Sequence, residues 1–341
     1  MNFRTLRWTP VAMAILLLLS LTSCQGGSLG FYLYPQATSG ITEVRDPHPL
    51  GGLEVVGYLP SWKIDTVQPE QVRHLTDLVY FSMAATANGE LVTKGLLPAH
   101  LDFLLKVKRQ YGIHLVLGIT DHKKNGSLAQ IAASAALRLK FARTLTAYLK
   151  AKGFGGADFD WEYPSDTQRD DYEALLREVK AAFGPEGFRL SVALSPSHPL
   201  SRSGYDAVDR VHGMMYDDEG KHSTMGRIID HVEAMISDGV DPSKLQLGIP
   251  FYGRGYTAHG PKWSQAVSYK ELQQRYSPAP AQDVVSGYYF NGIDTIRQKV
   301  RYAKLRGLAG LMVWEIGQDT TDSSSLLAAI SETRQDLAKP N

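Results

Sequence analysis

The chain has 341 residues, 43% of them hydrophobic and 21% charged, which makes it globular and long enough for one large barrel or two ordinary domains. Its 36 basic residues nearly balance its 35 acidic ones, for a formal net charge of +1, and such a balance excludes a basic nucleic-acid-binding surface. One cysteine excludes a disulfide framework.

Arg4 and Arg7 precede an uncharged apolar run from Val11 to Leu19, which Leu21-Thr22-Ser23-Cys24 follows. The run is too short for a membrane-spanning helix, which needs about 20 residues, so residues 1–23 read as a signal peptide. Leu21 to Cys24 resembles a bacterial lipobox, and this makes Cys24 the expected lipidation site and the first mature residue. Two or more acyl chains there would anchor the chain to a membrane of the bacterial cell envelope. Gln25 at the next position is similar to the pattern that directs lipoproteins to the outer membrane of Gram-negative bacteria. Residues 24–52, rich in Gly, Ser, Pro and Thr, read as a flexible tether.

Beyond the tether, β-rich runs alternate with helical periodicity. In chain order the expected elements are strands at 53–58, 77–83 and 114–119 with a helix at 101–109 between the last two; a helix at 131–152; strands at 156–162 and 189–195 around a helix at 171–183; strands at 210–216 and 244–250 around a helix at 225–237; then a helix at 293–305, a strand at 308–314 and a helix at 324–337. This is the pattern of a parallel sheet with helical crossovers. Eight such units over roughly 280 residues match a TIM (β/α)8 barrel, here placed at 53–338. Between strands seven and eight, residues 255–291 leave room for a short insertion.

Strand four carries the chemistry. In Gly156-Ala157-Asp158-Phe159-Asp160-Trp161-Glu162-Tyr163-Pro164 the acids recur every second residue, so Asp158, Asp160 and Glu162 share one face, with Ala157, Phe159 and Trp161 on the other. Neighbours on that face lie roughly 6 to 7 Å apart. They cannot all ionise freely in a low-dielectric site, and at least one pKa should rise. A carboxyl kept protonated in this way is a general acid.

The segment from Phe154 to Pro164 resembles the active-site strand of family 18 glycoside hydrolases, the chitinase family, whose pattern is Asp-Gly-x-Asp-x-Asp-x-Glu. Four further segments are similar to that family: Val55 to Trp62 to its first strand, Met214-Met215-Tyr216-Asp217 to its Met-x-Tyr-Asp motif at strand six, Leu247 to Arg254 to strand seven, and Gly310 to Glu315 to strand eight. Two departures stand out. Gly155 occupies the position of the family's first Asp, and Gly118-Ile119-Thr120-Asp121 occupies that of a Ser-x-Gly-Gly motif on strand three. The missing Asp implies the loss of a group that supports reorientation of the middle Asp, so restoring it as Gly155→Asp is expected to raise turnover. The family's larger insertion between strands seven and eight would be reduced here to a small insertion or a long loop, which implies a shallower groove.

The resemblance implies a retaining glycosidase acting by substrate-assisted catalysis on β-1,4 linkages after N-acetylglucosamine, in chitin or chito-oligosaccharides. Its catalytic candidates are Glu162 as general acid and base, Asp160 as stabiliser of the intermediate, Asp158 as a partner sharing a proton or hydrogen bond with Asp160 so that the two titrate together, and Tyr216 as the group orienting the acetamido carbonyl. Asp217, Trp314 and Tyr58 are the candidate substrate contacts, with Trp314 as an aromatic floor. An endo-β-N-acetylglucosaminidase on N-glycans or peptidoglycan-type glycans, and a non-catalytic lectin on the same barrel, remain as alternatives. The ten histidines show no metal-ligand spacing, and neither a Gly-x-Ser-x-Gly elbow nor a phosphate loop is present. No cofactor or metal is expected; His198, His212 and His222 read as loop or satisfied core residues, and the chain as a monomer.

Overall fold

A computed structural model describes residues 52–121, 126–257 and 260–339. The segments expected to be a signal peptide and a tether, with Cys24, fall in residues 1–51 and lie outside the described residues.

The chain opens with β1 (Glu54–Pro60) and β2 (Asp77–Ala84), then α1 (Pro98–Tyr111), β3 (His114–Thr120), α2 (Ser127–Ala133), α3 (Ala135–Lys152) and β4 (Gly156–Asp160). It continues through α4 (Arg169–Phe183), β5 (Arg189–Leu194), α5 (Arg202–Asp206), β6 (Arg210–Gly213), α6 (Met225–Ser237) and β7 (Leu245–Pro250). After an excursion of β8 (Tyr252–Thr257), β9 (Gly260–Ser268), α7 (Tyr269–Tyr276), β10 (Val284–Val285) and β11 (Tyr288–Tyr289), it closes with α8 (Ile293–Leu305), β12 (Gly310–Trp314) and α9 (Leu326–Ala338). Eight parallel strands form a closed barrel in the order β1-β12-β7-β6-β5-β4-β3-β2. This is the expected (β/α)8 architecture.

Local sequence accounts for the element boundaries. The expected helix at 131–152 is interrupted at Ser134, whose side chain accepts a hydrogen bond from Leu137 N and so caps α3. Gly112 and Gly153, at φ 70 and 78, end α1 and α3 in the left-handed conformation that a side chain disfavours. On α4, Tyr172, Leu175, Leu176, Val179 and Phe183 recur at helical spacing and are buried against the barrel.

Alternation along the strands separates two cores. Val55 and Leu59 of β1, with Ala157 and Phe159 of β4, join the large core between barrel and helices. Val56, Tyr58, Val79, Val116 and Met312 form a smaller cluster inside the barrel. At the N-terminal mouth the interior is ionic: Glu54, 6% exposed, accepts from Arg210 at 2.6 and 2.7 Å and from Gln246 at 2.8 Å, while Arg189 lies 3.2 Å from Asp77.

The insertion between the seventh and eighth barrel strands is folded. It begins at Tyr252, three residues before the expected bound, and forms an antiparallel sheet in the order β10-β11-β8-β9 with α7 against it. Hydrogen-bonded pairing of β8 with both β9 and β11 excludes the long-loop form of the expectation.

Candidate active site

The acid row lies where β4 reaches the C-terminal mouth of the barrel, but the strand stops at Asp160 rather than at Glu162. The neighbours run out: β3 makes its last pair with β4 at Thr120 and Asp160, and β5 at Val192 and Phe159. Trp161 then turns outward to pack on Tyr172 at 5.2 Å. The row therefore grades in burial, from Asp158 with no exposed surface, through Asp160 at 6%, to an exposed Glu162.

That gradient separates the three acids chemically. Burial, with the charges of Glu162 and then Asp158 adding to it, pushes the Asp160 carboxyl well above its ordinary range. Among the described residues, Asp160 Oδ1 is buried without a hydrogen-bond partner. Burial alone would also raise Asp158, but His212, Ser191 and Tyr58 outweigh it and hold that carboxyl below its ordinary value. The expected rise thus falls on Asp160. The expected bond between Asp158 and Asp160 is replaced by bonds from Tyr58 Oη at 2.7 Å and Ser191 Oγ at 2.6 Å, with His212 Nδ1 at 3.1 Å.

These contacts also correct the reading of Tyr58 as a substrate contact. It is 1% exposed, its hydroxyl serves Asp158, and its ring lies beneath Trp314 at 5.6 Å, so it supports the cleft from behind without lining it.

The cleft itself has a volume of about 290 Å³ and brings together Asp160, Glu162, Tyr216, Asp217 and Trp314. Trp314, at the end of β12, packs edge-on against Phe81 at 4.9 Å. Asp217 has φ 68 and is held by Tyr252 Oη at 2.7 Å and by two Arg254 nitrogens, Nη2 at 2.6 Å and Nε. Beneath this loop, Lys299 of α8 is fully buried and donates to Ser223 O and Oγ and to Asn291 Oδ1 at 2.8, 2.7 and 2.5 Å. Ser223 Oγ in turn donates to Met215 O at 2.8 Å, which ties α8 to the segment carrying Tyr216 and Asp217.

Tyr163, Ser195, Tyr252, Arg254 and Gln318 also line the cleft and had no assigned role from sequence. Tyr252 and Arg254 fall within the strand-seven segment from Leu247 to Arg254, which is their signal in the sequence; Ser195 and Gln318 carry none. His198 stacks on Tyr163 at 4.0 Å with the rings 8° apart.

Gly155 lies one residue before β4, at the opposite mouth of the barrel. Five residues of extended chain place it about 17 Å from Asp160, so a carboxylate there would not reach the acid pair. A Cβ at 155 would stand 2.1 Å from His114 Nε2, because His114 has taken that space and bonds Asp77 through Nδ1 at 3.0 Å. Gly155→Asp is therefore expected to lower stability by about 1–3 kcal/mol without raising turnover, and pairing it with His114→Ala should recover much of the loss. Denaturant midpoints and turnover per folded molecule check this; a faster single variant would refute it.

The family model for glycosyl hydrolases family 18 matches residues 54–319, which takes in the acid row, the barrel and Trp314. The chain belongs to that family. It is a glycosidase. Among relatives of this family 18 chain, endochitinase 1 of Metarhizium robertsii is 28% identical over 285 residues, 67% of each chain. A solved chitinase from the chitin utilization locus of Flavobacterium johnsoniae has the same fold, with a TM-score of 0.75, 24% identity and coverage of 84% of this chain and 94% of that one. A chitinase mutant from Cycas revoluta, solved in complex with (GlcNAc)4, aligns at a TM-score of 0.71 and 21% identity over 83% of this chain and 99% of its own. The family 18 chain spans about two thirds of the Metarhizium relative's length.

Proposed function

We propose that this glycosidase is a chitinase that cleaves β-1,4 bonds after N-acetylglucosamine with retention, by substrate-assisted catalysis. The observation that carries the reading is the pairing of an exposed Glu162 with a buried Asp160 whose Oδ1 is unpartnered, both facing the cleft that Trp314 lines. The names of the relatives and the (GlcNAc)4 complex point to the same substrate class.

Glu162 gives its proton to the leaving glycosidic oxygen while the acetamido oxygen of the sugar attacks C1 and the C1–O bond breaks. Asp160 accepts the acetamido N–H and offsets the positive charge of the resulting oxazolinium. Tyr216 Oη, whose near contact in the protein is Met312 Sδ at 4.0 Å, is available to the acetamido carbonyl. Glu162, now a carboxylate, takes a proton from water as its oxygen adds to C1 and the ring opens. Two successive inversions at C1, the acetamido oxygen entering from the α face and water from the β face, return the β configuration. Trp314 supplies the apolar floor, and Trp62, 65% exposed and 6.2 Å from Phe81, extends the same aromatic row along the rim.

The anchor at Cys24 belongs to this reading, and one experiment tests both. Membrane and soluble fractions of cells producing the full chain are given chitotetraose, with products resolved by length and anomer. Shorter β-anomeric oligomers from the membrane fraction are expected, moving to the soluble fraction in Cys24→Ala. Initial α-anomers, or intact chitotetraose, would defeat the proposed chemistry; activity already soluble in wild type would defeat the anchor.

A further inference from the structure

Lys299 of α8 has no exposed surface and meets three uncharged acceptors: Ser223 O at 2.8 Å, Ser223 Oγ at 2.7 Å and Asn291 Oδ1 at 2.5 Å. None of them has a hydrogen to give it. Ser223 Oγ spends its own on Met215 O at 2.8 Å, and Asn291 turns its amide nitrogen to Ser223 O at 3.2 Å, which leaves the amide oxygen to the lysine. Three acceptors require three hydrogens, so the geometry is that of an ammonium. A neutral amine would set its lone pair against one of the oxygens.

The segment that Lys299 holds closes on itself. Ser223 Oγ bonds back to Met215 O, and Asp217 N donates to His222 Nδ1 at 3.4 Å. Asp217 and Ser223, neither of them glycine, have φ 68 and 60, a left-handed conformation that persists where the surroundings fix it. Tyr216 and Asp217, which line the cleft, belong to this closed segment.

The charged groups around Lys299 are engaged elsewhere. Asp283, in the insertion, accepts from Gly292 N at 2.7 Å and Thr295 Oγ1 at 2.6 Å; Asp218 pairs with His231 of α6 at 2.9 Å; Asp217 pairs with Arg254. Glu233 of α6 pairs with Arg306 just beyond α8 at 2.6 Å. Burial holds His222 neutral, down at about 4, and pushes the Tyr289 phenol up. Burial also pulls the Lys299 ammonium down to about 7, against the more distant charges of Asp283 and Asp218.

We propose that Lys299 is a positioning residue whose ammonium latches Ser223 and so fixes Tyr216 and Asp217 for the sugar, and that loss of its proton opens the latch. The contact with the sugar rests on the proposed function, whereas the latch does not. Two effects of pH then run in opposite directions. With a folded value of about 7 against an ordinary 10.5, the cost of burying the charge is present in full below about pH 7 and is relieved as pH rises towards 10.5, so global stability gains across that window. The latch loosens over the same rise.

The test is a pH titration of the full chain carrying 13C at lysine Cε, followed by NMR, beside amide exchange across residues 214–224 and KM and kcat on chitotetraose. Lys299→Met assigns the signal. In wild type the Lys299 midpoint is expected below those of the other lysines, and above it exchange should quicken and KM should rise about tenfold, the worth of one hydrogen bond, with little change in kcat. Lys299→Met should show the raised KM and fast exchange at every pH. Asn291→Asp sets a carboxylate beside Nζ and should move the midpoint, the exchange and the KM limb up together by about one pH unit, which a loss of packing would not do. If Lys299→Met does not fold, Asn291→Asp decides, with its shifted signal as the assignment. A Lys299 midpoint among those of the other lysines, exchange unmoved in Lys299→Met, or a midpoint that shifts in Asn291→Asp without exchange following, would overturn the inference. Titration and exchange as expected in a chain that leaves chitotetraose intact would defeat the proposed function and leave the latch standing.

Discussion

Glu162→Gln is expected to lower kcat on chitotetraose by about 10³-fold, within the range by which a positioned acid accelerates such a step, while the affinity for the sugar changes little. The amide keeps the size of the carboxyl and cannot give a proton to the leaving oxygen. Glu162 lies beyond the end of β4 in an exposed turn, and its removal leaves the hydrogen bonds of Asp158 and of Asp217 untouched. The fold should accordingly survive, and thermal unfolding of the variant should match wild type. Single-turnover rates and equilibrium binding of chitotetraose read the two effects separately. Retention of a tenth or more of wild-type kcat would remove Glu162 from the role of acid. Loss of binding together with rate would show that the side chain shapes the cleft rather than acting in the reaction.

A comparably large effect on stability is expected at the other mouth of the barrel. Glu54→Ala removes the acceptor of a bidentate pair with Arg210, at 2.6 and 2.7 Å, and of a 2.8 Å bond from Gln246, and it withdraws the 3.4 Å partner of Arg189. Breaking such a pair strands its cation, at a cost of about 3 kcal/mol once the partial exposure of both arginines is allowed for. In a domain of this size that corresponds to a fall in Tm of roughly 6–10 °C. Arg210 suffers most, since Arg189 keeps Asp77 at 3.2 Å. The double change Glu54→Leu with Arg210→Met removes charge and countercharge together and should regain much of the loss. Turnover per folded molecule should stay at the wild-type level, because Glu54 stands about six strand residues, some 20 Å, from the catalytic mouth. An unfolding midpoint unchanged in Glu54→Ala would mean that water already replaces the carboxylate there.

The two regions differ in what their acids do, although the chain uses the same residue types in both. At the N-terminal mouth Glu54 and Asp77 pair with arginines, with His114 also bonded to Asp77, and their work is closure of the barrel. At the C-terminal mouth Asp160 is buried beside two further carboxylates with no cation in contact among the described residues, and burial together with those charges raises its pKa. His212 stands between them, within the barrel, as the basic partner of the innermost acid.

Periodicity alone determined the architecture. The two-residue repeat of Asp158, Asp160 and Glu162 places them on one face because strand side chains alternate, and α6 and α8 begin and end at the residues their apolar spacing indicates, Met225 to Ser237 and Ile293 to Leu305. Such signals are local, and each can be read within a dozen residues. Tertiary structure decided how far each acid is buried, and therefore which one changes its pKa. Tyr58 reaches Asp158 across 100 positions of sequence, and Tyr58 meets His212 across 154. Closing the barrel turns those separations into contacts of 2.7 Å, which moved Tyr58 from the substrate surface to the rear of the site and took Asp158 out of partnership with Asp160. The same closure let His114 occupy the space beside Gly155, so a vacancy in the linear pattern is filled volume in the folded chain. Dense packing allows one occupant for each such space, and residues distant along the chain settle which side chain that is.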